Sequence, residues 1–185
     1  MSDMIRKYDF WYIPNMLSHK NLVDIHHIFD KFKIAHIDNP ANATKKVNIT
    51  TSTWGNLKTK LNFIEQTVFQ INSEAFGYNL WPQFEQQTVV LNEYDSKIKG
   101  EYDWHFDGSN NYHSDVKLTV LINASLEKYE GGKFYLFDNI PTHVEALDTP
   151  GNVVIIRSHL HHKVEPVTKG KRHSISLWYS GPRFI

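Results

Sequence analysis

Three His-x-Asp doublets occur in this chain: His36-Ile37-Asp38, His105-Phe106-Asp107 and His113-Ser114-Asp115. An imidazole and a carboxylate two positions apart can ligate one divalent ion when the backbone turns both to the same side. The first doublet falls at the frayed end of an amphipathic helix, just before Asn39-Pro40, and the third lies in the polar stretch SNNYHSD. No regular structure aims either pair, and both read as solvated. In the middle doublet Tyr102, Trp104 and Phe106 alternate with Asp103, His105 and Asp107, the period of two expected of a strand. His105 and Asp107 would then share a face, ~7 Å apart along the chain. On this stretch alone two readings stand level: a metal-binding pair, or a half-exposed edge strand with its polar face in water.

Downstream, RSHLHHKVEPVTKGKRHSISLW supplies a third ligand. Two imidazoles and one carboxylate make the facial triad that suits non-haem Fe(II) and leaves positions open for a bidentate oxoacid and dioxygen. His161 and His162 compete for the distal place and would face opposite sides of a strand. His162 opens HKVEPVT, whose alternation continues to Val164 and Pro166, whereas His161 is expected to cap the preceding turn.

The rest of the composition narrows the classes. With 20 basic and 20 acidic residues and no recurring basic stripe, the chain lacks an electrostatic footprint for nucleic acid, which is not expected as an obligatory partner. The absence of cysteine leaves histidine and carboxylate as the metal ligands. No long apolar run and no signal-like start is seen, so a soluble, unsecreted, cytoplasmic protein without a membrane partner is expected.

The elements that would position these groups divide into helices first and strands afterwards. Ser18 is an N-cap candidate for a helix with Leu22, Ile25, Phe29 and Phe32 on one face. Leu57, Leu61, Ile64, Val68, Ile71 and Ala75 repeat the pattern, with Gly77 as the stop. From about residue 86 come short strand-like runs: QTVVLNEY, VKLTVLIN, GKFYLFD, NVVIIRS, HKVEPVT and RHSISLWYS. This order predicts one α+β domain over 1–185, with a mainly helical flank over 1–85 covering one face of a β-sandwich or barrel over 86–182.

Taken together, EYDSKIKGEYDWHFD, LTVLINAS, YEGGKFYLFD and SHLHHKVEPVTKGKRHSISLWYSGP resemble the Fe(II)- and 2-oxoglutarate-dependent dioxygenases, in particular the prolyl 4-hydroxylase-like branch. They span about residues 88–182 in the family's order. The resemblance implies a double-stranded β-helix, or jelly roll, with N-terminal flanking helices, which agrees with the strand count. It implies that His105, Asp107 and His162 bind iron and that Arg172 binds the far carboxylate of 2-oxoglutarate. The physics of the last role is direct, since a permanently charged guanidinium grips a carboxylate through two parallel hydrogen bonds. Arg172, Ser174, Ser176 and Trp178 alternate on one strand face, so Ser174 is placed to donate to the same carboxylate and Trp178 to wall the pocket. Lys171 points the other way. Tyr94 and Tyr102 are candidates for a phenol near the cosubstrate, or for ordinary packing. Gly131-Gly132 reads as a turn needing positive φ. His143, His159 and His173 read as structural or solvated.

The implied activity is hydroxylation of an unactivated C–H bond, coupled to conversion of 2-oxoglutarate and dioxygen to succinate and carbon dioxide, with ascorbate as an accessory reductant. Related halogenases lack the carboxylate ligand, and this chain retains Asp107, which favours hydroxylation. The expected substrate is a prolyl residue in a peptide or protein. The same chemistry on a free amino acid, small metabolite or nucleobase is the alternative, and a non-catalytic jelly-roll binding module is a remote one. Substrate choice is expected in loops, here ITTSTWG at about 49–55 and SNNYHSD at 109–115.

Overall fold

Ser18 caps the first helix as its position predicts, accepting from the Asn21 backbone N–H at 3.2 Å while Asn21 Oδ1 accepts from the Ser18 N–H at 3.0 Å. The computed structural model describes residues 9–37, 44–108 and 114–183. In chain order these form β1 (Phe10–Ile13), α1 (His19–Lys31), β2 (Ala35–Ile37), β3 (Lys45–Lys46), β4 (Asn48–Thr53), α2 (Trp54–Ile71), β5 (Thr88–Asp95), β6 (Glu101–His105) and β7 (Ser114–Asn123). Then follow β8 (Glu130–Gly131), β9 (Phe134–Asp138), β10 (Ile140–His143), β11 (Val153–Arg157), β12 (His161–Val164), β13 (Val167–Lys169) and β14 (Lys171–Pro182).

Leu22, Ile25 and Phe29 are buried as the helical spacing requires. Phe32 is not; it is the C-cap of α1 and 44% exposed, because the helix has ended at Lys31. The segment ITTSTWG is no loop. It forms most of β4 and the first residues of α2, whose N-cap is Thr53, with Oγ1 accepting from the Asn56 N–H at 3.3 Å. The β-branched residues Ile49, Thr50, Thr51 and Thr53 suit that strand. α2 ends in a π turn over Asn72–Phe76, and Gly77 closes it at φ 73°, the left-handed conformation that a glycine stop supplies.

All strand pairs are antiparallel. A seven-stranded sheet runs β1-β11-β7-β14-β5-β4-β2 and faces a five-stranded sheet, β10-β9-β12-β6-β3. This is the expected jelly roll, and the N-terminal 85 residues supply four of its strands as well as the two helices. Alternation on the central strands makes two cores. Leu118, Val120, Ile122, Val153 and Ile155 face α1 and α2, while Leu121, Val154 and Ile156 face the smaller sheet with Phe134 and Leu136. Burial on both faces leaves β7 and β11 the rigid floor from which polar side chains can be aimed inward. Among the described residues no helix is long and apolar enough to cross a membrane.

Candidate active site

The space between the sheets holds a cavity of about 140 Å³, lined by side chains from β3, β5, β6, β12 and β14 among others. His105 at the end of β6 and His162 on β12 are register partners, which brings their rings to 4.2 Å between centroids. Asp107 lies two residues past His105, and one ligand atom from each of the three residues falls within 4.8 Å of the others.

Backbone carbonyls orient both imidazoles. His105 Nδ1 is 2.7 Å from the Asp103 oxygen and His162 Nδ1 is 2.9 Å from the Leu160 oxygen. A carbonyl only accepts, so each Nδ1 carries the proton and each Nε2 keeps its lone pair free for a metal. Burial lowers the basicity of both rings, and the neighbouring His162 lowers that of His105 further. Neutral imidazole is the ligating form. The Thr119 hydroxyl donates to Asp107 Oδ2 at 2.7 Å from β7, and His162 Nε2 stands 3.6 Å from the same oxygen.

Across the cavity Arg172 is 1% exposed, one of the largest fully buried side chains, and its Nε and Nη1 have no hydrogen-bond partner. Its guanidinium lies 5.4 Å over the Tyr94 ring. Burial pushes the Tyr94 phenol up to about 12, against the opposing pull of Arg172. Ser174, Ser176 and Trp178 line the cavity with Arg172, as alternation along β14 predicts. Lys171 projects the other way, to Glu93 at 3.0 Å.

The expected parity of β6 fails at one point. Register with β12 shifts between the Val164–Tyr102 and His162–His105 pairs, a bulge that turns Tyr102 to the same side as His105. The two rings stack at 3.5 Å and 12°, so Tyr102 lines the cavity, while Trp104 and Phe106 remain exposed on the outer side. His161 is exposed against Phe106, not at the cavity. His36 bonds Thr50 at the surface; Asp38 and His113 lie outside the described residues. His173 bonds Glu93 at 3.2 Å and is structural. Sequence reasoning missed Lys45, Thr119 and Asn92, all now in or beside the site. Thr119 and Asn92 had a signal, a polar residue on the inward face of an apolar strand; Lys45, in a lysine doublet, had none.

Two nitrogens and a carboxylate oxygen, with no thiolate, make a donor set for Fe(II). A buried guanidinium with unpaired N–H groups is costly unless an anion meets it, and a dicarboxylate spanning from the triad would do so. The residues fit both Fe(II) and 2-oxoglutarate. Residues 89–180 match the family model of the 2OG-Fe(II) oxygenase superfamily, and the chain belongs to that superfamily. Its cofactor set is Fe(II), 2-oxoglutarate and dioxygen.

Among curated relatives, a PKHD-type hydroxylase of Stenotrophomonas maltophilia is 31% identical over 86 residues, 43% of this chain and only 37% of that protein. One from Aliarcobacter butzleri is 26% identical over 184 residues, 90% of this chain and 76% of its own length. In structure the chain is similar to a Pseudomonas putida prolyl-4-hydroxylase, with TM-score 0.69, 17% identity and coverage of 96% of this chain and 94% of that one. A Trichoplax adhaerens prolyl hydroxylase, solved with a peptide fragment of hypoxia inducible factor, gives TM-score 0.66 at 16% identity, covering 92% and 83%.

Proposed function

We propose that this protein is a 2-oxoglutarate-dependent hydroxylase that oxidises a C–H bond of a prolyl residue in a peptide or protein. The observation that carries the reading is the pairing of a converged His105, Asp107, His162 donor set with the buried guanidinium of Arg172, whose Nε and Nη1 lack hydrogen-bond partners, in one cavity. The prolyl substrate is supported by the fold it shares with prolyl hydroxylases, one of them solved with a peptide.

The Nε2 atoms of His105 and His162 and a carboxylate oxygen of Asp107 would hold Fe(II). Arg172, with Ser174 and the Tyr94 hydroxyl beside it, would hold the distal carboxylate of 2-oxoglutarate. Bound there, the pair couples decarboxylation of 2-oxoglutarate to succinate with insertion of one oxygen atom of dioxygen into the substrate C–H bond. The protein contributes orientation and exclusion of water. Thr119 fixes Asp107 Oδ2 beside His162 Nε2, and the carbonyls of Asp103 and Leu160 lock the imidazole tautomers. Leu121, Phe134 and Val164 make the walls apolar, which strengthens the charge interactions inside.

The test is anaerobic titration of purified apoprotein with Fe(II) and 2-oxoglutarate, following the weak visible charge-transfer band of the chelate. A band in wild type that needs more 2-oxoglutarate in Arg172→Ala is expected. Bound metal without a band would remove the hydroxylase reading and promote a binding module.

A further inference from the structure

Lys45 has no place in the cofactor chemistry, yet it lines the same cavity. β3 is the outermost strand of the smaller sheet, and Lys45 pairs in register with Tyr102. Its ammonium sits 4.5 Å over the Tyr102 ring, whose stack on His105 brings the cation next to the triad. The adjacent Lys46 is different; it pairs with Glu101. Lys45 is half-buried, and no carboxylate among the described residues forms an ion pair with it. Its interaction with Asp107 is through space, opposing the loss of basicity that burial causes. An ammonium withdrawn from water without a counter-ion is unfavourable, and the face of one phenol offsets only part of that cost.

Charge in the cavity points to what completes it. Lys45, Arg172 and Asp107 are the ionised side chains among its described lining residues. Adding a divalent ion to these gives three net positive charges, and 2-oxoglutarate with its two carboxylates neutralises two of them. One positive charge is left over. Arg172 is committed to the far end of the cosubstrate from the larger sheet, so the surplus belongs to Lys45 on the smaller one.

We propose that Lys45 is a specificity-determining residue whose ammonium receives a carboxylate of the primary substrate beside the triad. The inference rests on the hydroxylase reading of this site and adds a substrate class to it: an anionic substrate, in which a carboxylate lies close to the carbon oxidised. That carboxylate has two chemical sources, the main-chain carboxylate of a free amino acid, or an acidic side chain or C-terminus flanking the target in a peptide.

The experiment uses full-length wild type, Lys45→Met and Lys45→Arg, each loaded anaerobically with Fe(II) and 2-oxoglutarate. The probes are matched acid and amide pairs: L-proline against L-prolinamide, and short blocked peptides with Asp-Pro or Pro-Asp against Asn-Pro or Pro-Asn. The chelate band gives the 2-oxoglutarate affinity, and calorimetry gives probe affinity without turnover. The expected result is that at least one acid binds wild type about tenfold or more tighter than its amide, that Lys45→Arg keeps most of this preference, and that Lys45→Met reduces it to about twofold or less. The chelate affinity stays the same in all three. Preference confined to the proline pair identifies a free amino acid, and preference confined to the peptides identifies an acidic flank. A panel in which no acid outbinds its amide overturns the proposal, as does a preference that survives in Lys45→Met. Weakened 2-oxoglutarate binding in a folded Lys45→Met, checked by circular dichroism, assigns the lysine to the cosubstrate and also overturns it; where Met disturbs folding, Lys45→Gln takes its place. Failure of the chelate to form in wild type is the separate result that removes the hydroxylase reading itself and this inference with it.

Discussion

Thr119 holds Asp107. The hydroxyl of Thr119 donates to Asp107 Oδ2 at 2.7 Å from the centre of β7, a strand buried on both sides, while Asp107 itself lies past the end of β6. The rigid residue orients the one on the less regular segment. Thr119→Val removes the donor at nearly constant volume and should weaken Fe(II) binding by roughly 10–100-fold, the range for loss of an outer-shell partner, with little change in folding stability. Metal titration of the two proteins under argon checks it. Equal affinities would show that Asp107 is positioned by its backbone alone.

The two adjacent histidines on β12 should behave as opposites. His162 is 3% exposed and held by the Leu160 carbonyl, whereas His161 is exposed against Phe106. His162→Ala, like His105→Ala or Asp107→Ala, is expected to abolish both metal binding and turnover, and His161→Ala to leave both within about twofold of wild type, as surface changes do. An inactive His161→Ala beside an active His162→Ala would reverse the assignment.

Gly132 packs against the aliphatic stem of Arg172. It sits at φ 63°, and a Cβ there would come within 2.9 Å of Arg172 Cδ and of Val167 Cγ2. Gly132→Ala therefore combines a left-handed backbone penalty of about 1–2 kcal/mol with displacement of the guanidinium stem. Lower thermal stability and a severalfold weaker 2-oxoglutarate titration are expected, with Fe(II) affinity unchanged. If 2-oxoglutarate affinity holds while stability drops, the contact with Arg172 is only packing.

The helices and the central strands could be read from the chain because each rests on a local period, whereas alternation left the His105–Asp107 pair open and its iron-binding role came with the family resemblance. Leu22, Ile25 and Phe29 repeat at helical spacing, and Arg172, Ser174, Ser176 and Trp178 repeat at two. Three features were not legible. The bulge that turns Tyr102 inward is a register event between two strands far apart in sequence, and strict alternation placed that ring on the wrong face. β4 reads as a polar loop because its Asn, Ser and Thr side chains hide a strand whose evidence is its partner β5. Lys45 reaches the cavity only because β3 pairs with β6, a contact across more than 50 residues that no local pattern announces.

Glu93 should make part of the stability acid-sensitive. It accepts from His173 at 3.2 Å, from Lys171 at 3.0 Å and from Asn48 at 3.1 Å, tying β4, β5 and β14 together away from the cavity. The His173 hydrogen bond first, then those from Lys171 and Asn48, outweigh partial burial and hold the carboxyl at about 2, below its ordinary 4.5. A carboxyl depressed in the folded state stabilises the fold fully above the unfolded value and ceases to do so as pH falls through the folded one. The window is therefore pH 4.5 down to 2. Because the side chain is 25% exposed, solvent screening limits the contribution at neutral pH to about 1 kcal/mol. Urea unfolding of wild type and Glu93→Gln should show that gap from pH 7 to about 5 and its progressive closure towards pH 3, as the carboxyl of the unfolded wild type takes up a proton that the folded one, held at about 2, does not. A gap that stays constant down to pH 3 would mean that the hydrogen-bond geometry, which the amide also changes, and not the charge, is what Glu93 provides.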